Sequence, residues 1–197
     1  YFQSFCSWFD YYKGKIISHF DSKNMPLYFF LLNKEVYVQM INGDFYLLRN
    51  NRFVHLLDRK SYGDDNVVAA LPYSNNRILL LTDHNGMFFF SKGKLTKWRT
   101  KIDNDLMKYQ VNRGVILGQS TIIIGTISNG IYAIDNNGRC KWHYNIENRL
   151  YDNTVLRLFI DKENNIWAAL DIGISLIHTG IPLTILRTDN FNQPIGD

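Results

Sequence analysis

The sequence predicts an all-β chain, a partial β-propeller of about four and a half four-stranded antiparallel blades. Three observations lead there. Gly43, Gly86, Gly130 and Gly173 recur at intervals of 43, 44 and 43 residues. Each glycine separates two apolar runs: 35–38 and 45–48, 77–81 and 88–90, 121–124 and 131–134, 165–169 and 174–177. Six positions before each glycine stands a large apolar residue, Tyr37, Leu80, Ile124 and Trp167. A fixed period of about 40–50 residues in short β-type runs marks propeller blades.

The elements follow in chain order. Residues 1–4 match the tail of a protease-cleavable tag linker and are set aside from fold reasoning. Residues 5–24 read as half a blade, with strands at 8–12 and 15–20. Residues 25–187 hold four blades, whose repeats run over 26–57, 67–101, 111–144 and 155–186. The third is the template: strands at 111–117, 121–126, 131–135 and 139–144, separated by Asn, Gly and Ser turns. The glycine after each second strand is expected at positive φ, which Asn and Gly tolerate. No window keeps a 3.6-residue period, so no helix is predicted. Residues 188–197 read as the start of a next propeller or a linker. With a half blade first, the chain reads as a piece of a longer protein.

Composition narrows the function. The 197 residues are 46% hydrophobic and 15% aromatic, enough for a packed core. The net charge is +4, and no basic run or basic helix occurs, which argues against nucleic-acid binding. Cys6 and Cys140 fall about three blades apart, so no disulfide between them is expected. No Cys/His metal spacing is present, and 161–163 is too sparse in carboxylates for calcium. No metal and no cofactor are expected. The longest apolar stretch, 26–32, is far too short to span a bilayer.

The last repeat is the most specific. It reads Asn153-Thr154-Val155, then apolar residues, then Asp161-Lys162-Glu163-Asn164-Asn165-Ile166-Trp167, and closes on Gly173-Ile174. Over 152–177 it resembles the two-component-regulator propeller repeat, whose pattern is Asn-x-Val, Asp-x-x-(Gly/Asn)-Asn-(Ile/Leu)-Trp and Gly-(Ile/Leu). Asn164 stands where glycine is common, and the earlier repeats lack the Trp. The resemblance implies propellers in the periplasmic sensor half of bacterial membrane proteins, as in the hybrid two-component systems of Bacteroidetes. It further implies a membrane helix and a kinase or DNA-binding output elsewhere in the parent protein. Those sensors control glycan-utilisation genes. The chain is thus expected to be a non-catalytic sensor module contributing to oligosaccharide sensing and signal relay. It would lie on the periplasmic side of the inner membrane and touch the membrane only through its parent. Expected partners are an oligosaccharide, and either a second copy or the parent's remaining blades. Two alternatives stay open: a propeller enzyme acting on polysaccharide, and a protein-interaction scaffold.

Candidate binding residues come from the loops that gather on one propeller face. They are Tyr62, Asp83, His84, Asn85, Tyr109, Arg113, Asn129, Arg149, Tyr151 and Asp171. Aromatic faces beside Arg, Asn and Asp groups suit sugars. Asp83-His84 is compatible with acid–base work, but no second carboxylate shares its spacing, and no catalytic residue is assigned. Trp167, in register with Tyr37, Leu80 and Ile124, is expected in the core.

Overall fold

Each repeat folds as a meander because short β-branched and aromatic runs alternate with turns that accept positive φ. Gly43, Gly86, Gly130 and Gly173 all lie there, at φ 93°, 76°, 71° and 84°. The computed structural model describes residues 2–3, 8–19, 25–74 and 76–179. Cys6, the strand expected near 180–186 and the segment 188–197 lie outside the described residues.

Five antiparallel sheets follow one another as propeller blades. The first has strands β1 (Phe2–Gln3), β2 (Trp8–Tyr12) and β3 (Lys15–His19). The second has β4 (Pro26–Leu32), β5 (Glu35–Met40), β6 (Phe45–Arg49) and β7 (Arg52–Leu57). The third has β8 (Val67–Tyr73), β9 (Arg77–Thr82), β10 (Met87–Ser91) and β11 (Lys94–Trp98). The fourth has β12 (Val111–Leu117), β13 (Thr121–Thr126), β14 (Ile131–Ile134) and β15 (Cys140–Tyr144). The fifth has β16 (Val155–Ile160), β17 (Ile166–Leu170) and β18 (Ile174–Ile177). Phe2 and Gln3, set aside in the sequence reading, pair with Phe9 and Trp8. No helix among the described residues is long and apolar enough to cross a membrane.

The core lies between sheets, not inside one. Side chains alternate faces along a strand, so a blade with two neighbours must be apolar on both. In β13, Ile122 and Ile124 pack with Leu79 and Leu81 of the third sheet, whereas Ile123 packs with Ile166 and Ala168 of the fifth. This explains why Thr121–Thr126 is buried throughout. Tyr37, Phe45 and Leu47 likewise meet Leu80, Phe88 and Phe90, and Trp8 meets Val38, Met40 and Leu48.

Two sequence expectations need correction. The linkers are not free of helix: Asp103–Tyr109 forms α1, and Arg59–Tyr62 a 3₁₀ turn. At seven residues α1 is too short to show a period. Ile102 and Leu106 anchor it in the core between the third and fourth sheets, and Asp103 accepts the backbone N–H of Thr100 at 2.9 Å. Trp167 is not core; it is 40% exposed, whereas Leu79 and Ile123, which the strand pairing makes its counterparts because the turn before Gly173 is one residue shorter, are both 0%. Its indole Nε1 donates to Asp161 at 2.9 Å. Register explains the difference. Trp167 pairs with Phe159 and Leu176, on the face of the fifth sheet turned away from the fourth. Phe159 and Ile174 are exposed on that same face.

One irregularity repeats. The first strand of each repeat slips register at the same place, between Pro26 and Tyr28, Val67 and Ala69, Val111 and Arg113, and Val155 and Arg157. β-Bulges re-aim side chains. Tyr28, Ala69, Arg113 and Arg157 therefore occupy equivalent positions on β4, β8, β12 and β16.

Candidate functional site

The linkers between blades and the turns after the second strands lock together on one face, as the sequence predicts. Arg59 N–H donates to Asp44 Oδ1 at 2.9 Å, Asn66 N–H to Asp83 Oδ1 at 2.9 Å, and Ile127 N–H to the Gln110 carbonyl at 2.9 Å. The last blades repeat the pattern, with Gly130 N–H on the Asn153 carbonyl at 2.9 Å and Asp171 N–H on that of Thr154 at 3.0 Å. Side chains on this face are thus held by paired backbone.

The candidate residues divide by what this scaffold does to them. Tyr62 is a correction, because it is 1% exposed and cannot meet a ligand. Its hydroxyl donates to the Gly43 carbonyl, and burial pushes its pKa up. Asn85 is a strut: Nδ2 donates to the Tyr62 carbonyl at 2.9 Å, and Oδ1 accepts from Lys97 at 2.7 Å. Asn129 sits in a similar network. It donates to the Tyr132 hydroxyl at 2.5 Å and accepts from Asn145 Nδ2 at 3.1 Å, while His143 contacts its carbonyl at 2.7 Å. Tyr109 ends α1 half-buried, with its carbonyl accepting from Ile127. Arg149, Tyr151 and Asp171 are exposed on this face, where a ligand could reach them.

Asp83 and His84 have a neighbour that the sequence spacing hides. Asp65, on the preceding linker, accepts the His84 backbone N–H at 2.7 Å and lies 3.6 Å from its Nδ1. The expected lack of a second carboxylate is therefore corrected. Asp65, Asp83 and His84 each offer one ligand atom within 4.8 Å of the others, as do Asp44, His55 and Asp58. These groups could hold a cation, though calcium needs six to eight oxygens. Burial first, and Asp83 second, hold the Asp65 carboxyl up at about 6. Asp83 shifts the opposite way, lowered by its hydrogen bonds from Asp65 and Asn66 against the effect of burial. Asp65 is thus the member of the pair that takes up a proton first as pH falls.

Arg113 stands apart from the loop face. It lines a cavity of about 200 Å³ between the first strands of four repeats, together with Tyr28, Ala69 and Arg157. A larger pocket, about 430 Å³, lies at the opposite strand ends, beside Tyr73, Gln119 and Asn136, and contains none of the candidate residues. Sequence reasoning missed Asp65, Tyr28 and Arg157. The first joins the site only through docking of a linker. The other two were findable by aligning the inner strands, since Arg157 follows Arg113 at one repeat length.

No family model and no curated protein matches the chain. Solved structures do. The extracellular domain assigned to the hybrid two-component system BT3049 of B. thetaiotaomicron aligns at TM-score 0.63 and 17% identity, over 84% of this chain and 22% of that one. The extracellular domain assigned to the one-component system BT4673 of the same organism aligns at TM-score 0.61 and 22% identity, over 82% and 23%. The WD40 β-propeller domain of Doa1 aligns at TM-score 0.61 and 14% identity, over 80% and 52%. The chain spans less than a quarter of the two B. thetaiotaomicron chains. These likenesses establish the propeller fold, one that this chain shares with extracellular domains of two-component systems.

Proposed function

We propose that the chain is a non-catalytic extracytoplasmic sensor module of a bacterial two-component signalling protein. It contributes to oligosaccharide sensing and relays occupancy to the rest of that protein, from the periplasmic side of the inner membrane. The observation that carries this reading is the structural match to the extracellular domains of BT3049 and BT4673, assigned to a hybrid two-component and a one-component system, over more than 80% of the chain. The last repeat supports it independently. Asp161 gathers the pattern shared with the two-component-regulator repeat, accepting from Asn165 N–H at 2.8 Å, Asn165 Nδ2 at 3.1 Å and Trp167 Nε1 at 2.9 Å. The exposed Arg149, Tyr151 and Asp171 supply the sugar-facing groups. The apolar outer face of the fifth sheet packs against further blades of the parent or against a second copy.

The match to a WD40 domain favours a second reading, a protein-interaction scaffold. One experiment separates the readings. The purified protein is presented with a panel of oligosaccharides, and each bound glycan is analysed by mass spectrometry. Binding of a glycan recovered intact, weakened by Tyr151→Ala, is the expected result. Cleavage of the glycan makes the chain an enzyme, and a panel with no binder overturns the glycan reading in favour of the scaffold.

A further inference from the structure

The cavity between the inner strands has a positive charge that no carboxylate of its described lining balances. Arg113 and Arg157 enter it from adjacent blades at equivalent register positions. Its described lining contains no carboxylate. Ala69 fills the same position on the next blade, and this small side chain leaves room for Arg113 to reach the Tyr28 ring, 5.4 Å from its guanidinium carbon. The Arg113 guanidinium is also aimed. Its Nη1 donates to the Asn112 carbonyl at 2.6 Å and to Asn112 Oδ1 at 3.2 Å, and Asn112 Nδ2 is fixed by the Val155 carbonyl at 2.7 Å. Yet Arg113 Nε is buried and has no hydrogen-bond partner. A buried N–H on a charged group is costly to leave unpaired. Burial, and then the Arg157 charge, push the Arg113 pKa down, only partly offset by the Tyr28 hydroxyl.

We infer that this axial cavity is a binding site for a single oxyanion group, a carboxylate or a sulfate, held by Arg113 and Arg157. A guanidinium offers a planar fork of donors that fits such a group in two-point contact. The oxyanion would supply the missing counter-charge and cancel the repulsion between the two side chains. The cavity admits one small group, so a free ion and a sugar acid inserting its charged end share the same chemistry. The site is distinct from the loop face, and it stands whether or not the chain senses oligosaccharides.

The test is a titration of the whole chain followed by the arginine side-chain Nε–H resonances, at constant ionic strength maintained with chloride. The probes are sodium sulfate, sodium glucuronate and, as the neutral control, glucose. Sulfate or glucuronate should shift the Arg113 Nε–H saturably, and glucose should not. Saturation by both anions identifies a general oxyanion site; saturation by glucuronate alone identifies a sugar-acid site. Arg157→Gln, at an exposed position, should weaken binding at least tenfold. Arg113→Gln should abolish the saturable phase, and Arg113→Lys should not restore it, because an ammonium lacks the fork. The inference is overturned if neither anion shifts the resonance, if glucose shifts it equally, or if Arg157→Gln binds like the unaltered chain.

Discussion

The fourth and fifth sheets are built from similar sequence and live in different surroundings. β13 and β17 are the second strands of their sheets, yet Ile124 is sealed between two blades while Trp167 lies on a face turned away from the fourth sheet. The turn after β17 is one residue shorter, since Leu170 N–H bonds the Gly173 carbonyl as Thr126 N–H bonds that of Gly130, so Trp167 takes the strand position of Ile123, which packs against the following sheet. What differs is the neighbour. In a stacked array, stability is a sum of repeat and interface contributions. A residue's contribution therefore follows from how many of its blade's faces are covered, and not from its repeat position.

The largest expected effect sharpens this contrast. Ile124→Ala should destabilise by about 2–5 kcal/mol, as a large-to-small change in a closed core. Trp167→Ala should cost about 1 kcal/mol, the net scale of one hydrogen bond. Chemical denaturation of the two variants checks both values. Equal losses would break the comparison, because Trp167 would then be packed like Ile124.

Glycine turns give a second contrast at matched positions. A Cβ on Gly130 would collide with the backbone carbonyl of Tyr144, whereas a Cβ on Gly86 meets nothing within 4 Å. Gly86→Ala should cost about 1–2 kcal/mol from positive φ alone. Gly130→Ala should cost about 2–4 kcal/mol, because backbone overpacking is added to that strain. Thermal unfolding of the pair measures the difference. Equal losses would mean that the 144–145 backbone yields freely.

The smallest effect concerns pH and the loop face. The folded chain holds the Asp65 proton up to about pH 6, above the ordinary carboxylate range. Stability from this group is therefore full below about pH 4 and is lost as pH rises through about 6. Asp83, shifted the other way, withdraws its contribution only as pH falls below the ordinary carboxylate range. Because Asp65 is partly solvated, the step is modest. Asp65→Asn should flatten the decline between pH 4 and 6 in a stability-versus-pH profile. A profile that keeps the same slope in the variant would place the titrating group elsewhere.

Much of the architecture was legible in the sequence. The 43-residue glycine period located the strands of the middle blades to within a residue or two, because turn chemistry and β-branched runs are local signals. Burial was less legible, because the turn after β17 is one residue shorter than those after β9 and β13, and the glycine spacing therefore put Trp167 on the wrong face. The loop face was read correctly as a surface where linkers and turns gather. Its residues were harder, since Tyr62 points inward and Asp65 reaches His84 only after a linker docks. The axial arginines are half visible: Arg113 stands near a loop in the sequence, and only the equivalence of the inner strands brings Arg157 to the same position.

The direct test of the account is hydrogen exchange on the intact chain, resolved by peptide. If neighbouring blades set stability, amides of β13, at 121–126, should exchange most slowly. Those of β17, at 166–170, should exchange measurably faster, although each of the two strands pairs with a strand on both sides. Equal protection of the two segments, or slower exchange in 166–170, would contradict it.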